Sequence, residues 1–204
     1  STYALIRDET AERKAATFLL GDNLERTTQG GGIYTYTSQQ GAAAFRDTGS
    51  FDAAGSLSQE NAEAFCRDFC KAFSYDTPIF TLDETGSGTA TAVRLWSGTP
   101  VFNAAVTFTI DQGRVLSASG ALLPETGAET SSGQKPLSAF AALTAFQQMR
   151  HASSSVVSSI TEVSLCYELQ STTAAPMALV PSWRIVTDTA TFYVNCISGT
   201  VRRA

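Results

Sequence analysis

Charge, histidine and long apolar runs are what this chain has least of. Asp, Glu, Lys and Arg make up 16% of its 204 residues, and His151 is its single histidine. Acidic residues outnumber basic ones 19 to 14, which sets the net charge at −5 and the pI near 4.9. No basic cluster appears beyond Arg202-Arg203, read as a solvated tail, so phosphate binding is not the chain's main purpose and nucleic acid is not an expected partner. No stretch approaches the ~20 apolar residues of a membrane-spanning helix. The chain opens Ser1-Thr2-Tyr3 rather than with Met, as a trimmed or processed form does, so a missing targeting segment says nothing about location.

What is present suits a folded core. Apolar residues are 43% of the chain, and a compact chain of this length buries roughly 70% of its unfolded surface. Neither metal nor disulfide is required. The four cysteines are Cys66, Cys70, Cys166 and Cys196, without a Cys-x-x-Cys pair. Cys66 and Cys70 share one face of a helix, where small apolar residues pack, and a metal would need ligands that the distant His151 does not supply. Cys196 falls on the apolar side of a strand. Cys166 interrupts the alternation of Val163, Leu165, Tyr167 and Leu169, which makes it the candidate reactive thiol. Sequence leaves a disulfide open.

Periodicity divides the chain into helices followed by strands. Ala11, Ala15, Phe18 and Leu19 form a helical stripe between Asp8 and Leu20, with Gly21 as terminator. Gln29 to Gly32 is a glycine-rich break, after which Ile33–Thr37, Ala42–Arg46 and Ser50-Phe51 alternate as strands. A second helix carries Ala62, Phe65, Cys66, Phe69, Cys70 and Phe73 inward and is expected to be capped by Ser56 or Ser58. Strands follow at Thr89–Leu95, Val101–Ile110 and Arg114–Ser119. Pro124 to Pro136 reads as a linker. Ser138 caps a third helix running to Met149, and strands return at Ile160–Leu169, Ser182–Thr187, Thr191–Ile197 and Val201. The expected fold class is therefore α+β, built from repeated units of one helix on an antiparallel β-meander. The units are 1–55 (the shortest), 56–123 and 137–204, with 124–136 joining the last two.

Few residues invite chemistry. His151 follows Arg150 at a helix end, where the dipole favours cations, and no serine has a nucleophile-elbow context. Gly86-Ser87-Gly88 is loop, and Gln29–Gly32 precedes a strand rather than opening a phosphate-cradling helix. Asp83-Glu84 lacks the alternating acidic pattern of a calcium loop, while Glu162 and Glu168 mark a solvent face. No catalytic, metal or cofactor site is expected, and the chain reads as a non-enzyme. Trp183 sits with Ile185 on a core-facing strand side. Trp96, at a strand end beside Ser97-Gly98-Thr99-Pro100, reads as a partly exposed anchor, so Trp96, Pro100, Val101 and Phe102 form the candidate binding site. Open meander edges invite strand addition by a partner.

Two segments carry a family resemblance. Gly98-Thr99-Pro100-Val101-Phe102-Asn103 followed by Asp111-Gln112-Gly113-Arg114-Val115 resembles the G-x-P-V-F strand of YycH/YycI-type regulatory proteins. Ile160–Tyr167, Pro181-Ser182-Trp183-Arg184-Ile185 and Tyr193-Val194-Asn195 with Gly199 resemble the C-terminal part of the YycI branch. The order of pieces agrees from about Leu57 to Val201. The plan is also similar to PepSY and cystatin-like modules, as a fold analogy. The resemblance implies an extracytoplasmic module of a Gram-positive cell, anchored by an N-terminal segment outside this chain. Its implied partner is a membrane sensor kinase of a two-component system controlling cell-wall metabolism, or a related regulatory protein, which it restrains. The alternatives are a PepSY-like peptidase inhibitor, or a small-molecule-binding or enzymatic α+β domain.

Overall fold

A computed structural model describes residues 1–57, 61–130, 135–153, 156–171 and 175–204. It is α+β: three helices among the described residues lie against one fourteen-stranded sheet that is antiparallel except at a single junction. The chain opens with β1 (Thr2–Leu5) and α1 (Glu9–Leu20), followed by β2 (Glu25–Thr28), β3 (Tyr34–Ser38), β4 (Gly41–Phe45) and β5 (Ser50–Gly55). Next come α2 (Ala62–Ala72), β6 (Ile79–Leu82), β7 (Gly88–Trp96), β8 (Thr99–Asp111) and β9 (Arg114–Ala121). Then β10 (Gly127–Thr130) precedes α3 (Ala139–Ser153), β11 (Ile160–Gln170), β12 (Met177–Thr187), β13 (Thr191–Asn195) and β14 (Val201–Arg203).

Each helix begins at a side-chain cap that satisfies otherwise orphaned amides. Asp8 accepts from Thr10 N and Ala11 N, both at 3.0 Å. Ser138 accepts from Ala141 N at 3.3 Å. The cap of α2 is Asn61, which accepts from Ala64 N at 3.0 Å. Of the two serines expected there, Ser56 lies outside the helix, and Ser58 falls outside the described residues. Gly21, at φ 84°, ends α1 with its amide on Thr17 O, a backbone conformation glycine adopts without strain.

After each helix, four strands pair in chain order: β2 to β5, β6 to β9, and β11 to β14. The expected boundary at residue 55 does not interrupt the sheet. β5 pairs antiparallel with β9, joining two meanders into the eight-strand run β2-β3-β4-β5-β9-β8-β7-β6. Both α1 and α2 cover it, and Phe18 of α1 meets Phe65 and Phe69 of α2 and Phe73 at its C-cap at ring separations of 5.3 to 6.0 Å. One core, including Ala15, Leu19, Phe45, Phe51, Phe69 and Phe108, serves both helices. It buries large aromatic surface, the strongest available driving force for a chain this poor in charge.

The third meander joins through β8. That strand pairs parallel with β11 at Val101 and Tyr167, while its C-terminal part stays with β9. On the far side, β12 is shared end to end: Met177–Leu179 pair with β1, and Ser182–Val186 pair with β13. Two pairings cross the expected unit boundaries: β1 pairs with β10 and β12 rather than with β2 to β5, and β10 lies within the expected linker. Neither signal is local, because β1 and β10 are short strands formed only against each other and β12. α3 buries Ala142 and Phe146 against Ile185, Phe192 and Val194.

Candidate functional site

The candidate site inferred from sequence is a seam rather than an open surface. Trp96 is 6% exposed and Val101 fully buried. The Trp96 ring packs 4.4 Å from Tyr3 and 5.7 Å from Tyr167, so it closes the junction of β1, β7 and β11. Phe102 stacks on Tyr193 at 3.6 Å and 12°, and the Arg202 guanidinium lies 5.2 Å from the Phe102 ring. Of the four residues only Pro100 is exposed. The partly exposed Trp96 expected from the strand-end position is thus corrected: pairing of β8 with β11 covers it. Arg202 is exposed and pairs with Glu168 at 2.8 Å.

Residues singled out for chemistry are occupied structurally. All four cysteines are free and buried. Burial pushes Cys66, Cys70 and Cys166 up to about 12 and Cys196 up to about 11, which removes the thiolate on which reactivity depends. Cys166, expected to be the reactive one, donates instead to Ser182 O at 3.3 Å. The Asp83 carboxylate accepts from Thr85 Oγ1, Thr85 N and Ser87 N at 2.6 to 3.0 Å and so closes the β6–β7 turn. Glu162 pairs with Arg184 at 2.8 Å on the solvent side. His151 is exposed in the last turn of α3. Trp183 donates its indole N–H to Leu137 O at 2.9 Å and packs beneath α3.

A concavity lies elsewhere, between α1 and the outer strand β2. It is a half-open groove of about 650 Å³ lined by Glu9, Thr10, Arg13, Leu24, Arg26 and Tyr36. Its wall is fixed from behind by Arg7, which grips Glu12 at 2.7 and 2.9 Å, donates to Phe45 O and Gly32 O, and stacks on Tyr34 at 3.9 Å. Arg26 in turn pairs with Glu9 at 2.9 Å and stacks on Tyr34 at 4.7 Å. Tyr34 Oη donates to the same carboxylate at 3.1 Å. The hydrogen bonds from Arg26 and then Tyr34 hold the Glu9 carboxyl below its usual range, and those that Arg26 makes to Glu9 and then Tyr36 hold Arg26 above its own. Arg13 has no ion pair or hydrogen bond among the described residues.

Beside this groove the sheet is open. Gln29 N donates to Ile33 O at 3.2 Å, on the β3 side of the hairpin. Alternation along an antiparallel strand then turns the Glu25 and Thr27 amides toward β3 and the Arg26 and Thr28 amides outward. Nothing among the described residues pairs with that outer edge. Sequence reasoning missed this site because β2 is four residues of mixed polarity, Glu-Arg-Thr-Thr, with every position exposed. The only available signal was Glu9 and Arg13, one turn apart on α1.

No protein-family model matches the chain, YycI-type models included, and no curated protein matches it. Among solved structures, an uncharacterized protein from Eubacterium rectale superposes with a TM-score of 0.54 at 12% identity, over 100% of this chain and 80% of that one. The likeness is one of fold. The Bacillus megaterium YpeB C-terminal domain covers 98% of each chain at 14% identity, with a TM-score of 0.43 that is too low to carry an argument.

Proposed function

We propose that this chain is a non-enzymatic, extracytoplasmic interaction module, built from three copies of a PepSY-like helix-plus-meander unit. In this reading it regulates a membrane partner, such as a sensor kinase of the kind YycI-like proteins restrain, by binding it in one of its signalling states. What supports the three-copy reading is the recurrence of one helix followed by four strands paired in order. The observation that carries the binding role is the unpaired outer edge of β2 beside the α1 groove. An extended segment laid there gains main-chain hydrogen bonds from the outward Arg26 and Thr28 groups and side-chain contacts in the groove.

The polar groups of the groove do not converge on a point where a bond could be broken. Glu9, Arg26 and Tyr34 form a closed set, which is the organisation of a rigid wall.

The test is a display library of short linear peptides selected on the whole chain, followed by titration against Thr28→Pro. The proline removes an outward amide without touching the β2–β3 ladder. Selected peptides should lose affinity for this variant while its unfolding midpoint stays near that of the parent. Equal affinity for parent and variant places docking elsewhere.

A further inference from the structure

The groove also specifies the chemistry of what docks, an inference that rests on the strand-addition reading above. We propose that the occupant is an extended peptide segment of a partner protein, bearing an acidic side chain that turns into the groove and meets Arg13. Three observations lead there.

The first is charge. On a chain of net charge −5, the groove is lined by two arginines and one carboxylate. Glu9 is already committed to Arg26, so the surplus positive charge is that of Arg13. An incoming carboxylate would complete the pairing of this cation.

The second is orientation. Arg26 is held between the Glu9 carboxylate and the Tyr34 ring, and Tyr36 beneath it is 2% exposed. Arg26 therefore faces the helix side of the sheet, as Tyr36 does in the register Arg26 to Tyr36. A strand added alongside β2 places its residue opposite Arg26 on that same helix side, with alternate residues turned away. One position in two thus points into the groove, and a carboxylate at that position faces both arginines.

The third is a contrast with the other end of the eight-strand run. There the outer strand is β6, and the Arg67 guanidinium lies 5.2 Å from the Phe80 ring. Phe80 and Leu82 pack against the core below α2. Over the outer strand, the helix-side arginine covers the apolar ring of Phe80 at β6, whereas at β2 the helix-side residue is itself the cation Arg26.

The experiment selects linear peptides in parallel on the parent and on Arg13→Glu, then titrates the winners on the parent, Arg13→Gln and Thr28→Pro, with and without acetate and inorganic phosphate as competitors. Peptides from the parent should carry Asp or Glu at alternate positions and bind Arg13→Gln about tenfold more weakly, as loss of one charge-assisted hydrogen bond predicts. Selection on Arg13→Glu should shift the preference to Lys or Arg. Neutral winners that are indifferent to Arg13→Gln but lost in Thr28→Pro overturn the acidic specificity and leave strand addition standing. Acidic winners that are indifferent to Thr28→Pro overturn both. Full displacement by acetate or phosphate alone overturns the peptide as occupant and leaves a simple anion site.

Discussion

The carboxamide of Asn103 pairs with the peptide of Leu169 as a neighbouring strand would: Asn103 Nδ2 donates to Leu169 O and Asn103 Oδ1 accepts from Leu169 N, both at 2.7 Å. The β7–β8 register shifts at Val93/Arg94, leaving Phe102 to Ala104 out of that ladder. In this irregular stretch of β8, a side chain continues the backbone pairing that Val101 and Tyr167 begin. Asn103→Asp keeps the size and replaces a donor by a carboxylate facing a carbonyl. Because Asn103 is exposed and water can substitute, the expected loss is about 1 kcal/mol, with faster hydrogen exchange at the Leu169 amide. Unchanged protection at Leu169 would show that the pairing does not hold β8 to β11.

Arg94 makes a harder demand on the fold. It is 2% exposed, and its guanidinium donates to Ser74 O at 2.6 Å, Leu95 O at 3.0 Å and Leu123 O at 2.8 Å. It ties the loop after α2 to the end of β9, and burial holds its pKa below the ordinary arginine value. Arg94→Met fills the space and takes this donor from three carbonyls, of which Ser74 O keeps the Leu95 amide at 2.8 Å. The expected destabilisation is about 3 kcal/mol or more, since each buried unpaired group costs roughly 1 to 3 kcal/mol. Arg94→Lys should recover little, because an ammonium cannot span three acceptors in the planar fork of a guanidinium. Denaturant unfolding of both variants decides this, and full rescue by lysine would refute the fork argument.

Much of this architecture could be read from sequence where the signal is local. The stripe Ala15, Leu19 and the face Cys66, Phe69, Cys70 place α1 and α2, and alternation from Val101 to Ile110 places β8. What could not be read is every feature created by pairing at a distance. β1 and β10 depend on β12 and on each other. Trp96 looks exposed beside a glycine turn until Tyr3 and Tyr167 arrive from remote parts of the chain. At Gly49, a Cβ would sit 2.8 Å from Met177 Sδ, so this turn of the first meander is fitted to the third by a contact that local sequence cannot reveal. The groove was hidden because its residues are individually ordinary and come from a helix start and two strands.

The cysteines give a direct check on burial. With thiols pushed to about 11 or 12 by desolvation, a thiol-specific disulfide reagent at about pH 8 should find almost no thiolate in the native chain. All four cysteines should react once denaturant is added. Reaction of Cys166 at the rate of a small-molecule thiol under native conditions would restore the reading that its place in the strand pattern first suggested.

The Asp83 turn gives a pH-dependence with a definite sign. The hydroxyl of Thr85, then the amides of Ser87 and Thr85, hold the Asp83 carboxyl below its usual range. A folded pKa lower than the unfolded one means that this group's contribution is fully present above the unfolded value of about 3.9 and is lost as pH falls through the folded value. Asp83→Asn retains an acceptor oxygen for the same donors but cannot be protonated in that window. Urea unfolding over the acidic range should therefore show a shallower fall in stability for the variant than for the parent, with the two curves running parallel at neutral pH. The same slope for both below the ordinary aspartate pKa would mean that the turn draws nothing from the ionised carboxylate. The β6–β7 connection would then be held by its backbone bonds, Asp83 N to Ser87 O at 2.9 Å and Gly86 N to Asp83 O at 3.1 Å, and by the Ser87 hydroxyl, which donates to Asp111 Oδ1 and accepts from Gln112 N, both at 3.0 Å.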